Sequence, residues 1–149
     1  MTCLEKEIII LAPVSRVWHE LTQPSRMPLW MSQKDLEIKA SWHTGEPFSV
    51  TSDFNGKKYT SRGTLLRFDS EREFAYSYWI AVSRLPDAPE NYAVIRYQLT
   101  PTSEGTKLVL THRNIRGEAA YPHVNFYWNG ALYLLKQQAE TPGAPAPRV

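Results

Sequence analysis

One cysteine, Cys3, stands in the whole sequence. A lone thiol forms no internal disulfide, which fits a reducing compartment, and so near the terminus it reads as a half-buried or fraying side chain rather than a nucleophile. The chain also lacks any large excess of positive over negative charge. The formal net charge is +2, too small to draw the chain to nucleic acid or to an anionic membrane. Lys and Arg form no run and no basic stretch interleaved with aromatics, so neither nucleic acid nor membrane is expected as a partner. No apolar run approaches the roughly 18 residues of a membrane span, and no signal peptide opens the chain. A cytoplasmic location is expected. The histidines His19, His43, His112 and His123 show no HxxxH or HxH spacing and are remote from Cys3, so no metal site is expected. The patterns GxSxG, GxxxxGKS/T and GxGxxG do not occur, which removes the common hydrolase, P-loop and dinucleotide readings. No motif names a catalytic residue, and nothing calls for a cofactor.

What the chain has is enough apolar material for one good core. At 149 residues it is most simply one domain, and a domain of that size buries about two-thirds of its unfolded surface. The stretch that organises the rest is residues 120–140. On a helical wheel Val124, Trp128, Ala131, Leu135 and Ala139 form one stripe, widened by Tyr127, Leu132 and Leu134. Asn125, Asn129, Lys136 and Glu140 fall opposite. So wide an apolar face is the kind that packs on a sheet. Pro122 suits a first helical turn. Ala131 on the stripe and Gly130 at its margin are places to leave room or to let a sheet approach closely. Phe126 and Tyr133 break the polar face. Either the loops around 22–31 or 83–91 lie over them, or they make an oligomer contact.

Ahead of that helix, residues 4–11 read as a strand ended by Ala12-Pro13. Pro13 opens a short helix in which Val14, Val17, Trp18 and Leu21 keep the spacing of one buried face. Two prolines break residues 22–28, and a turn or second short helix ends at Leu29-Trp30-Met31. Strand signals follow at 36–40, 47–54, 57–68, 73–81, 92–100 and 106–113. Asn55-Gly56 is a hairpin signal between the second and third of these. Residues 83–91 form a proline-rich loop, and 141–149 read as a disordered tail, leaving 1–140 as the domain. Hairpin connections make the sheet antiparallel. The expected class is α+β: a curved antiparallel sheet of six to seven strands wrapped around one long C-terminal helix.

The residues that carry a family likeness are now in view. Ala12-Pro13, Val17-Trp18, Leu21-Thr22, Pro24 and Trp30 resemble the opening of the SRPBCC (START-like, helix-grip) superfamily. Within it, the chain resembles most the homologues of the activator of the heat-shock chaperone ATPase. Further matches are Gly45-Glu46-Pro47-Phe48, Arg62-Gly63-Thr64-Leu65, Phe74 to Tyr78, Gly105-Thr106-Lys107-Leu108 through His112, and Trp128-Asn129-Gly130 through Leu135. Two departures stand out. Glu46 and Pro47 replace the family's small residues after Gly45, and the chain reads as a lone domain without the amino-terminal domain of the eukaryotic co-chaperones. Contact with a chaperone is therefore ranked last among its expected partners.

Alternation then supplies candidate residues, since strand residues two apart share a face. Phe74, Tyr76 and Tyr78 match the family's inward positions, and Ile95, Tyr97, Leu99, Leu108, Leu110 and His112 lie on the corresponding faces of the next two strands. Buried tyrosines need a partner for the hydroxyl, and a ligand or water can supply it. Two readings stay open: plain core aromatics, or the lining of a cavity between sheet and helix. The cavity candidates are Trp30, Phe48, Tyr59, Tyr76, Tyr78, Tyr97, His112, Trp128 and Ala131. Trp30, Phe48 and Tyr59 would close its mouth. His112 is either a satisfied core histidine or a polar anchor. As a general acid or base it would need a carboxylate, and alternation turns none of Glu71, Glu73 or Glu90 inward. The functional expectation is a protein that binds a small hydrophobic or aromatic molecule. A polyketide cyclase or aromatase-like enzyme using the same cavity comes second, with His112, Tyr76 and Tyr97 as its candidate groups. A chaperone-interacting domain comes third. Phe126 and Tyr133 mark a possible homodimer contact.

Overall fold

The structure, a computed structural model, describes residues 2–31, 36–54, 56–83, 85–116 and 120–141. Asn55 of the hairpin signal, residues 117–119 ahead of the last helix and residues 142–149 of the expected tail lie outside them. In chain order the elements are β1 (Thr2–Ile10), α1 (Val14–Thr22), α2 (Met27–Trp30), β2 (Glu37–Ala40), β3 (Pro47–Phe54), β4 (Lys57–Asp69), β5 (Glu73–Tyr78), β6 (Ala93–Pro101), β7 (Thr106–Ile115) and α3 (Ala120–Glu140). The strands form one seven-stranded sheet in the order β1-β7-β6-β5-β4-β3-β2, with every pairing antiparallel. This is the expected α+β helix-grip. β1 and β7 run further than the sequence pattern predicts, because each supplies the other's ladder partners out to Thr2 and Ile115. β5 ends earlier, at Tyr78. Beyond it the chain keeps only a single bridge, Trp79 to Arg62, and turns into a short 3₁₀ segment at Ala81–Ser83.

Two local features curve the sheet around the helix. The β4–β5 register shifts between Leu65 and Arg67. Leu66 and Arg67 both face outward, and Phe68 returns to the concave side. Such a bulge bends its strand and raises the local twist. Three residues earlier, Gly63 lets β4 press onto β5: a Cβ there would sit 1.5 Å from the Ser77 carbonyl oxygen.

α1 buries Val17, Trp18 and Leu21 as its spacing predicts, with Pro13 at the N-cap. The last carbonyls of a helix have no partner within it, and two indoles supply them here. Trp30 Nε1–H donates to the Glu20 carbonyl at 2.8 Å, and Trp42 Nε1–H to the Thr22 carbonyl at 2.9 Å. The Glu20 side chain, itself buried, takes both arms of the Arg26 guanidinium at 2.7 and 2.9 Å. That hydrogen-bonded carboxylate raises the Arg26 pKa.

α3 lies along the concave face and buries Trp128, Ala131, Leu132, Leu135 and Ala139. Its polar side is less solvated than a wheel suggests. Lys136 Nζ donates to the Ile9 carbonyl at 2.7 Å, and the Leu11 amide donates to Glu140 at 2.7 Å. These two side chains satisfy backbone groups at the end of β1, an outer strand of the sheet, where such groups would otherwise stay unpaired. Gly130 is exposed, and an added Cβ would meet nothing within 4 Å. It therefore brings no strand close, contrary to the expectation from its place on the wheel. Phe126 is 81% exposed and Tyr133 60%, so neither expected loop covers them.

Candidate functional site

One transverse row of the sheet frames the site. Leu4 pairs with His112, His112 with Ile95, Ile95 with Tyr76, and Tyr76 with Leu65. All five project to the concave side. At about 4.8 Å per strand, Tyr76 and His112 rise on either side of Ile95 with Cα atoms roughly 10 Å apart. α3 crosses above this row with Trp128, which packs edge-on against both His112 and Tyr97.

Between the row and the first half of α3 lies a cavity of about 260 Å³. Tyr76, Tyr78 and Ile80 line it from the β5 segment, Ile95 and His112 from β6 and β7, and Val50, Ser52 and Ser61 from β3 and β4. His123, Val124, Tyr127 and Trp128 close it from α3, with Met31 beside them. The walls are mostly apolar, and among the described residues no Asp, Glu, Lys or Arg lines them. His123, an exposed lining residue, marks the rim. The volume is near the lower end of small-molecule pockets, roughly 300–1,000 Å³.

Two hydrogen bonds join polar groups in this apolar setting. Trp128 Nε1–H donates to His112 Nδ1 at 3.0 Å. An indole nitrogen can only donate, so Nδ1 carries no proton and the neutral ring bears its proton on Nε2. His112 is 5% exposed, and burial lowers its pKa to about 4. The Tyr76 and Tyr97 hydroxyls share a hydrogen bond of 2.8 Å, and burial lifts both well above the ordinary tyrosine value. Tyr78 is pushed up to about 12 by burial, against the opposing effect of its hydrogen bond with Ser61. Burial raises Tyr127 as well. All four phenols are neutral at physiological pH, and so is His112.

Of the residues singled out from the sequence, Tyr76, Tyr78, His112 and Trp128 meet at the cavity. The others stand behind or beside it. Tyr97 stacks on Phe74 at 4.3 Å and touches Trp30 edge-on. Phe48 stacks on the back of Tyr76 at 4.4 Å. Ala131 is buried in the core one turn beyond Trp128. Tyr59 is half-buried on the β3–β4 hairpin under Lys57. Sequence reasoning left out Met31, Val50, Ser52, Ser61, Ile80, Ile95 and the α3 set of His123, Val124 and Tyr127 as cavity residues. Alternation from Phe48 points to Val50 and Ser52. A two-residue hairpin at 55–56 sets Ser61 opposite Val50, as observed. The buried carboxylate that alternation could not find is Glu20, and Arg26 occupies it.

Comparison with known proteins agrees with this architecture. A family model described as "Activator of Hsp90 ATPase homolog 1-like protein" matches residues 11–140. No curated protein matches the chain. A protein of Cytophaga hutchinsonii, solved in solution, is similar with a TM-score of 0.80 and 28% identity, over 92% of this chain and 92% of that one. A crystal structure from Chromobacterium violaceum gives 0.79 at 17% identity, over 93% and 96%. The solution structure of the Aha1 dimer from Colwellia psychrerythraea gives 0.73 at 20% identity, over 96% and 99%.

Proposed function

The chain belongs to the activator of Hsp90 ATPase homolog 1-like family, and from that premise we propose that it binds a small apolar or aromatic molecule between α3 and the sheet. The observation that carries this reading is the 260 Å³ cavity itself, walled by apolar side chains and uncharged polar groups among its described residues. Apolar surface facing such a space gains contact and loses water when a molecule of matching shape enters. The aromatic walls, Tyr76, Tyr78, Tyr127 and Trp128, suit a flat ring system.

Catalysis in the same cavity, of the polyketide cyclase or aromatase type, ranks second. His112 is the natural base, but Trp128 occupies Nδ1 and Nε2 already holds the proton. In that state the ring orients a ligand and does not abstract a proton. A role on a chaperone ranks third. The exposed Phe126 and Tyr133 serve better as a contact with a second copy of the chain, a reading supported by the dimeric relative from Colwellia psychrerythraea. A cytoplasmic location goes with the lone Cys3. Among the described residues no helix is long and apolar enough to cross a membrane.

A thermal-shift and native mass-spectrometry screen against flavonoids, polyketides and fatty acids tests the proposal. The expected result is a binder that raises the melting temperature of the wild type and loses that effect in Val124→Trp, whose indole fills the cavity. Binders that stabilise both proteins equally would place the site elsewhere.

A further inference from the structure

The hydrogen bonds around the cavity have a direction, and the direction selects a ligand. Tyr97 is fully buried, and among the described residues its hydroxyl has one hydrogen-bond partner, Tyr76. Were Tyr76 the donor of that bond, the Tyr97 proton would be left buried and unpaired, at the full desolvation cost of the group. Tyr97 therefore donates, and the Tyr76 proton is free to turn into the cavity that Tyr76 lines. His112 is arranged in the same way. Trp128 donates to Nδ1 at 3.0 Å, which leaves the Nε2–H for the same cavity. Ser61 accepts from the Ala81 amide at 3.0 Å and is bonded to Tyr78, and Tyr78 and Tyr127 line the cavity beside the Tyr76 and His112 donors.

We propose that the cavity takes the carbonyl oxygen of a neutral, otherwise apolar molecule. Tyr76 Oη–H and His112 Nε2–H form its pair of donors, and Tyr97 and Trp128 are the positioning residues that hold them in that state. Two donors facing one space complement an oxygen with two lone pairs. Ile95 lies between them as an apolar floor, in register with both. A carboxylate fits poorly, because among the described lining residues no Lys or Arg is present to compensate a buried anion, and His112 stays uncharged until about pH 4. A pure hydrocarbon would leave both donors without a partner once water is expelled.

This inference rests on the cavity-binding reading, and three probes separate the two. They are 2-acetylnaphthalene, 2-ethylnaphthalene and 2-naphthoate, measured by isothermal titration calorimetry. The expected result is that the ketone binds and the naphthoate binds more weakly. In the infrared spectrum, the carbonyl stretch of the bound ketone lies at lower wavenumber than in hexane. In the Tyr76→Phe/Tyr97→Phe double variant, which removes both hydroxyls and strands neither, the ratio of ketone to hydrocarbon affinity falls about tenfold, as for a carbonyl that loses a buried donor. Failure of both ketone and hydrocarbon to bind would overturn the cavity reading and this inference together. Binding of both, with a hexane-like carbonyl stretch or an unmoved ratio, would leave the cavity reading standing and overturn the donor pair. Naphthoate binding tighter than the ketone would overturn the neutral-ligand assignment. The infrared result on the wild type decides the matter even if the double variant does not fold.

Discussion

Burial takes His112 to a pKa of about 4 from an ordinary value of 6.5, so the unfolded chain holds a proton there more tightly than the folded protein does. Stability from this group is therefore complete above about pH 6.5 and is lost as pH falls toward 4. The loss is at most about 3 kcal/mol, from a shift of about two and a half pH units. His112→Asn isolates it, since the amide oxygen falls near the Nδ1 position and can still accept from Trp128 while nothing there titrates. Urea denaturation at pH 7 and pH 4 should show the wild type losing about 3 kcal/mol more than the variant. Equal losses would mean that His112 is not held neutral by burial. Its inward direction was legible from two-residue alternation in β7, as were those of Tyr76 and Tyr78. The bond to Trp128 was not, because no local pattern states how far along α3 a residue will meet a strand.

Gly63 shows what one missing Cβ does for a whole element. Its neighbours Arg62 and Trp79 exchange backbone hydrogen bonds at 2.8 and 3.1 Å, and the Thr64 amide reaches the Ser77 hydroxyl at 3.0 Å. Gly63→Ala would drive a methyl into the Ser77 carbonyl. The strands would have to separate where the sheet closes on the cavity. Overpacking of this kind costs about 3 kcal/mol or more, read as a lower urea midpoint with an unchanged slope. A near-wild-type midpoint would refute the close approach. At this scale the sequence was informative where signals are local. The 3.6-residue period gave α3 its observed bounds, and Asn55-Gly56 fixed the β3–β4 register. The β1–β7 pairing joins residues 96 to 113 positions apart, from Ile10–Thr106 to Thr2–Ile115, and no short-range pattern encodes it. The same distance hid Lys136 and Glu140, which a wheel assigns to solvent and which instead bind the end of β1.

For the molecule as a whole, two surfaces remain to be matched with partners, one inside and one outside. The outer pair, Phe126 and Tyr133, would be covered in a homodimer. Light scattering after size exclusion should then report a dimer for the wild type and a monomer for Phe126→Ser/Tyr133→Ser; dimers of both would move the interface elsewhere. The inner surface is the central one. Sequence alternation separated inward from outward side chains but not wall from filler, which is why Trp30, Phe48, Tyr97 and Ala131 pack behind the cavity rather than around it. How completely α3 covers the sheet decides that, and only the assembled fold sets it. The measurement that bears most directly on a molecule held between α3 and the sheet is an isotope-filtered nuclear Overhauser experiment with 2-acetylnaphthalene and methyl-labelled protein. Cross-peaks from the ring protons to the methyls of Val50, Ile95 and Val124 are the predicted result. Saturating ligand with cross-peaks only to exposed methyls such as those of Leu29 and Leu66, or with none, would contradict it.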